Sequence, residues 1–317
     1  MTGPPPHRNI RQNASVSAST GFEIITGPHE DHYRSRVEQM YEEDPQVWRK
    51  VLGDSLFFHH GIYKSADTSL EEAAVNYLEA QLMLAGFASS DVRVERILDI
   101  GCGWGGVLAH LARKFPACHR LDGLNISSSQ LTYACQRLYQ AGIGDRVRLY
   151  LCNAQDITLL PDPDWDYDLA IARGSVAHFT FDVLDDAIAG LGRRVRLGGM
   201  VIIAEVLYNN LNTYQSCIPD PVDRLGCGYR KSPDQVTDLL TKYGFTVTDL
   251  RVLPSDTDAI RWFTEVQHRI DRLFPDGAPL RALQEYHTTA SNMVAAVQSG
   301  KVATYSIIAQ RTPGGFQ

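Results

Sequence analysis

The chain has 317 residues, of which 44% are hydrophobic and 21% charged, with a formal net charge of −7. That length buries a sizeable core in one elaborated domain or two small ones, and the acidic balance argues against a chain built to lie along nucleic acid while leaving room for a local basic pocket. Its six cysteines include no CxxC pair and no metal-ligand spacing, so they read as reduced thiols and not as a disulfide framework.

Residues 1–20 are rich in Pro, Ser and Asn and read as a disordered tail lacking the apolar core of a signal peptide. From about Glu30 to Lys50 the spacing is helical, with an interruption near Pro45. SLFFHHGIY (Ser55–Tyr63) follows, and Ser69 opens a helix with Glu72 placed for a capping box. Residues 21–90 thus read as an N-terminal helical lid.

From residue 91 the pattern alternates. VERILDI, CHRLDGLNI, RVRLYLCN, YDLAIAR and GGMVIIAEVL read as strands. WGGVLAHLARKF, SSSQLTYACQRLYQAG and DVLDDAIAGLGRRV read as helices between them, and SPDQVTDLLTKYG with FTVTDLRVL adds a further helix and strand. Strands separated by helices mean a parallel sheet wound on both faces. Residues 255–299 read as mostly helical, and KVATYSIIAQR as a last strand with no helix after it. The segments 207–231 and 255–299 are left to cap the carboxyl ends of the strands, where ligands of open α/β sheets bind. The expected fold is therefore α/β, a doubly wound, mostly parallel seven-stranded sheet in a domain spanning 91–311, with a helical cap. No window holds the roughly 18 apolar residues of a membrane span, and the expectation is a soluble, cytoplasmic protein.

Four glycines fall in the six residues that follow the first strand, and Gly101, Gly103 and Gly106 satisfy GxGxxG. Glycines there permit a tight strand-to-helix turn and close approach of a ligand to backbone amides at a helix N-terminus. That suits a dinucleotide as well as S-adenosylmethionine (SAM). Asp99, two residues before the first glycine, favours SAM. So does Asn125, which stands where a nicotinamide enzyme presents an acid to the ribose. VRLGGMVII (Val195–Ile203) points the same way.

Over about Val94 to Arg311 the chain resembles the class I SAM-dependent methyltransferases, whose fold is Rossmann-like. LDIGCGWGG and GLNISSSQ are similar to the cyclopropane-fatty-acid and mycolic-acid branch, while LGDSLFFHHGIY, LCNAQDI and SGKVATYSIIAQR resemble the geranyl diphosphate C-methyltransferases. The resemblance implies that Gly101 and Gly103 carry the methionyl part of SAM and that Asp99 fixes its amino group. Asn125 and Gln130 would meet the ribose and the adenine edge, although Gln130 also reads as a solvated helix residue. Asn153 and Ala154 would border the adenine, and the Arg173 backbone would close over the amino group. A side chain at Gly101 is expected to fill the space where ligand meets backbone.

The chain also departs from its relatives. Cyclopropane synthases hold bicarbonate with a Cys, a Glu and a His, and the matching positions here are His60, Ala177 and Ala204, which disfavours cyclopropanation. RGSVAHF carries no Glu where geranyl diphosphate methyltransferases place a catalytic one, and no NPPY-type motif.

Methylation of an alkene carbon leaves a carbocation, so a base must remove a proton while aromatic faces stabilise the charge. Glu205 interrupts the apolar run MVIIAEVL and is the first candidate base, with a structural ion pair as the alternative. His178 is the second, or else a capped or core histidine, and His60 is the third. His59 is expected to touch SAM or substrate. Tyr63, Tyr208, Trp262 and Tyr286 line a substrate pocket on this reading, unless they are core. Arg230 with Lys231 would hold a substrate diphosphate or form a surface pair.

The expected function is a SAM-dependent methyltransferase of a small molecule in specialised metabolism, C-methylating a prenyl diphosphate or terpenoid alkene. Mg2+ is a candidate cofactor if the substrate is a diphosphate. The alternatives are O- or N-methylation of a natural product, or a SAM-binding cyclase or isomerase that transfers no methyl. A protein metal site, nucleic acid and membrane are not expected, and homo-oligomerisation is left open.

Overall fold

The alternating segments assemble as expected around one sheet. The structure is a computed structural model that describes residues 15–16, 21–31, 34–41, 44–209 and 231–313. Its strands are β1 (Ser15–Val16), β2 (Glu23–Ile24), β3 (Arg96–Ile100), β4 (Arg120–Asn125), β5 (Val147–Leu151), β6 (Tyr167–Arg173), β7 (Val195–Tyr208), β8 (Phe245–Val252) and β9 (Val302–Arg311). They lie in the order β1-β2-β5-β4-β3-β6-β7-β9-β8. The block from β2 to β7 is parallel, and β9 runs antiparallel between β7 and β8. The order therefore reverses at β3, whose neighbours β4 and β6 diverge at their carboxyl ends and leave a crevice.

The seven expected strands are all present. The two extra ones, β1 and β2, are two residues each and too short to show a period. Ser15–Val16 pairs with β2, so this dipeptide of the expected tail is attached to the sheet edge. The other residues of 1–20 lie outside the described residues.

Nine helices are described: α1 (Arg34–Tyr41), α2 (Pro45–Leu52), α3 (Leu70–Leu84), α4 (Gly106–Lys114), α5 (Ser128–Gln140), α6 (Phe181–Arg194), α7 (Pro233–Lys242), α8 (Asp256–Leu273) and α9 (Arg281–Gln298). The capping box at α3 forms, with the Glu72 amide donating to Ser69 Oγ at 3.2 Å and the Ser69 amide to Glu72 Oε2 at 2.9 Å.

Successive strand residues turn to opposite faces, which is why the strands read as continuous apolar runs. Ile97, Leu169 and Ile202 pack under α3, α4 and α5, while Leu98, Ala170 and Ile203 pack under α6 and α7. Trp48, Trp262, Val266, Leu283 and Ala290 form a third core within α2, α8 and α9, the helical cap. Leu78 and Leu82, from the segment expected as a lid, place α3 on the sheet face.

At the amino end of the sheet Arg96 is wholly buried and pairs with Asp122 of β4, Nη2 to Oδ2 at 2.6 Å and Nε to Oδ2 at 2.9 Å. Tyr167 Oη donates to the same carboxylate oxygen at 2.9 Å, so one acid ties β3, β4 and β6. Removing one partner of such a pair leaves an uncompensated buried charge. Asp122→Ala should lower unfolding stability by about 3–5 kcal/mol. Denaturant titration checks this, and a loss below about 1 kcal/mol, the range of a surface pair, would mean the tie is dispensable.

Candidate active site

The turn leaving β3 folds only because its glycines adopt left-handed conformations, with φ of +77° at Gly101 and +51° at Gly103. The two differ in what a side chain would meet. A Cβ at Gly101 would stand 2.6 Å from Ser175 Cβ, so a side chain there would meet the protein first and not the ligand space. At Gly103 a Cβ would meet nothing within 4 Å. Here the backbone borders open space.

That space is a cavity of about 940 Å³, counting its mouth. All eight residues expected to hold the cofactor line it: Asp99, Gly101, Gly103, Asn125, Gln130, Asn153, Ala154 and Arg173. Gln130 is buried and not solvated, and its Oε1 accepts from Asn125 Nδ2 at 2.8 Å. Asn153 Nδ2 donates to Asp31 Oδ2 at 2.7 Å, which brings the N-terminal segment over this end of the cavity. Leu56, Phe57, Phe58 and His59 form another wall. Phe58 stacks on Trp104 at 5.2 Å, and Ser55 is held to α3 by its amide donating to Glu71 Oε1 at 2.8 Å.

The residues present fit SAM. Asp99 Oδ2 is buried without a hydrogen-bond partner among the described residues, and burial pushes its carboxyl up to about 7 against the opposing charge of Arg173. A buried acceptor of this kind calls for a donor, which an ammonium supplies, and Gly103 leaves the space beside it clear.

A second cavity, of about 750 Å³, adjoins the first. Tyr41, Phe58, His59, Gly174 and His178 line both and form the common wall. Its other residues include His60, Tyr77, Glu205, Phe263, Tyr286 and Met293, and the expected matches to the bicarbonate site, His60, Ala177 and Ala204, all lie here.

Glu205 is buried, with Oε2 accepting from the Ala177 amide at 2.9 Å and Oε1 from the Val206 amide at 3.0 Å. Burial pushes its carboxyl up to about 6, and these amides and the Lys231 charge hold it from rising further. His178 Nε2 lies 3.1 Å from Tyr41 Oη. Burial, with Lys231, pulls His178 down to about 4. His60 Nδ1 lies 2.9 Å from Thr304 Oγ1, and burial, with Arg173, pulls it down to about 3. Burial pulls His59 well below the usual imidazole value as well. All three imidazoles are neutral at neutral pH. Glu205 is the single Asp, Glu, Lys or Arg among the described lining residues of this cavity.

Three residues expected to contact substrate line neither cavity. Trp262 is completely buried in the cap core and lines neither cavity. Tyr63 donates to Glu265 Oε2 at 3.3 Å beneath the Arg261 guanidinium, tying the N-terminal segment to α8. Tyr208 packs against Ala296, Val297 and Val302. Arg230 lies outside the described residues. Tyr41, Tyr77 and Phe263 were not singled out by the sequence. Each is an ordinary apolar-face residue of its helix, with no local signal to distinguish it.

Among the described residues no group of three or more His, Cys, Asp or Glu side chains is placed to hold a metal ion. No helix among them is long and apolar enough to cross a membrane.

Comparison with known proteins places these cavities in context. A family model, mycolic acid cyclopropane synthetase, matches residues 29–274. A chloroplastic tocopherol O-methyltransferase of Arabidopsis thaliana is 26% identical over 219 residues, covering 66% of this chain and 58% of that protein. The chain spans 51% to 60% of the length of the first curated relatives it matches. Among solved structures, a cyclopropane synthase from Mycobacterium tuberculosis superposes with a TM-score of 0.76 at 15% identity, over 90% of this chain and 100% of that one. A geranyl diphosphate C-methyltransferase from Streptomyces coelicolor A3(2), solved with Mg2+, a substrate analogue and S-adenosyl-L-homocysteine (SAH), superposes with a TM-score of 0.67 at 17% identity, with the same coverage. At those identities the superpositions establish a shared fold.

Gly103→Ala adds a methyl to open space and costs the fold roughly 1–2 kcal/mol through its left-handed backbone. SAH affinity should fall by more than about tenfold, beyond 1.4 kcal/mol. Calorimetric titration of the folded variant measures this, and unchanged affinity would mean the cofactor lies elsewhere.

Proposed function

Since the chain belongs to the mycolic acid cyclopropane synthetase family, we propose that it is a SAM-dependent methyltransferase that methylates carbon in an apolar, unsaturated small molecule, with a prenyl diphosphate or related terpenoid alkene as acceptor. One observation carries this reading. An aromatic cavity holding a single buried carboxylate shares a wall with the cavity that fits the cofactor. When bound, SAM supplies an electrophilic methyl group on a sulfonium.

The protein's own part is chiefly positioning, because an in-line transfer needs the two reactants aligned. Tyr41, Phe58, His59 and His178 stand where both cavities meet and set the acceptor against the donor. Once an alkene carbon has taken the methyl, the acceptor is cationic. Tyr41, Phe58, Tyr77, Phe263 and Tyr286 surround it with aromatic rings, and Glu205 opposes its charge.

Glu205 also takes the proton. With Glu205 at about 6, His178 at about 4 and His60 at about 3, the carboxylate is the strongest base of the three candidates. On this reading Arg230 holds the diphosphate, if the substrate carries one, with Mg2+ as a candidate cofactor.

A second reading is O-methylation, favoured by the neutral Tyr41–His178 pair at 3.1 Å, which would accept a hydroxyl proton. The similarity to a tocopherol O-methyltransferase supports it.

The base must be deprotonated to act, so kcat/KM should rise with pH through about 6 and level off above. Glu205→Gln keeps the shape and removes the basicity. Turnover of a prenyl diphosphate should fall about 10²–10⁴-fold with SAH affinity preserved, and the acid limb should disappear. Turnover within about threefold of the parent, too small a loss for a general base, would make Glu205 structural and favour His178.

A further inference from the structure

Arg173 ends β6 and lines the cofactor cavity, yet it is 3% exposed, a depth at which a guanidinium is costly without an anion. Its protein partners are few. Nη1 donates to Gln81 Oε1, and the guanidinium carbon sits 4.6 Å over the Tyr77 ring. Gln81 is itself fixed, its Nε2 donating to Ser306 Oγ at 2.9 Å, so the guanidinium is held in place from behind. Nε and Nη2 are buried with no hydrogen-bond partner among the described residues. Asp99, on the neighbouring strand β3 and lining the same cavity, likewise keeps Oδ2 without one. Two fixed, unsatisfied groups of opposite sign thus border the glycine turn.

The charge balance specifies what the two Arg173 nitrogens can take. A ligand with a sulfonium and an ammonium brings two positive charges into a cavity that already has a buried arginine. Such repulsion is strong away from water, so a third group on the ligand must be an anion. The α-amino acid tail of SAM carries both signs on one carbon, which matches an acid and a guanidinium facing one turn. A charge-assisted fork of N–H donors is the geometry that carboxylates prefer.

Resting on the SAM reading, we propose that the Arg173 side chain binds the carboxylate of the cofactor's amino acid tail, opposite the ammonium at Asp99. The residue then selects the whole cofactor over truncated adenosyl ligands. This goes beyond the expectation that only the Arg173 backbone takes part.

Decarboxylated SAM, which keeps the sulfonium and the ammonium, isolates the missing group. The unmodified protein should bind SAM at least about tenfold more tightly than decarboxylated SAM, the size of one hydrogen bond to a charged group. In Arg173→Met the preference should shrink to within about threefold, chiefly by loss of SAM affinity. Arg173→Lys keeps the buried charge without the fork and is read if the Met variant does not fold; its preference should fall between the other two.

Equal affinity of the unmodified protein for the two ligands overturns the proposal. So does a preference that survives undiminished in either variant, because a structural arginine would weaken both ligands alike and leave their ratio unchanged. If the folded, unmodified protein binds neither ligand, the SAM reading itself fails and the proposal with it.

Discussion

The turn after β3 must reverse the chain in a few residues while keeping side chains out of the space above the sheet's reversal point. Glycine is the residue that adopts these left-handed angles at little cost. Gly101 lets Ser175 approach, so the loop after β6 closes against the turn, and Ser175 Oγ donates to the Ile100 carbonyl at 3.0 Å. Gly103 leaves its own space open. Gly106, at the start of α4, lets Ser55 and Phe57 lie on the helix end. The N-terminal segment, the β6 loop and the cofactor cavity therefore all take their positions from one constrained stretch of backbone.

The second cavity depends on the first. Its wall is made by Phe58, His59 and His178, two of them from the segment seated over Gly106 and one from the short turn that follows β6. Glu205 accepts from the Ala177 amide, so the carboxylate that lines the second cavity also fixes the turn carrying His178. Ala177 and Ala204 line the same cavity as this acid. One carboxylate among neutral imidazoles and aromatic rings gives the cavity a single negative pole, a surrounding that favours a transient positive charge on an apolar acceptor.

The sequence was most legible where function imposes a local rule. Asp99, the glycines, Asn125 and Asn153 sit at strand ends with fixed spacing, and each lies at the cavity expected. The β1–β2 edge was hidden because two residues show no period. The acceptor side was harder for a different reason. Tyr41, Tyr77, Glu205, Phe263 and Tyr286 come from five separate elements, and most are apolar-face residues that serve equally well as core. Trp262 and Phe263 are adjacent on α8, yet the first is core and the second lines the cavity. Only the packing of α8 against α2 and α9 decides between them. Tyr63 read as a pocket aromatic and instead takes the Arg261 guanidinium on its ring. The Arg173 side chain carried no pattern at all, and its significance lies in two nitrogen atoms left without partners.

The central claim is that a methyl group passes from SAM in the first cavity to carbon in the second. Incubating the protein with methyl-labelled SAM and a panel of prenyl diphosphates, then locating the label by NMR, tests it most directly. The account predicts one equivalent of SAH per product and a labelled methyl bonded to carbon. A labelled methoxy group would contradict the carbon assignment, and a converted acceptor without label or SAH would contradict methyl transfer altogether.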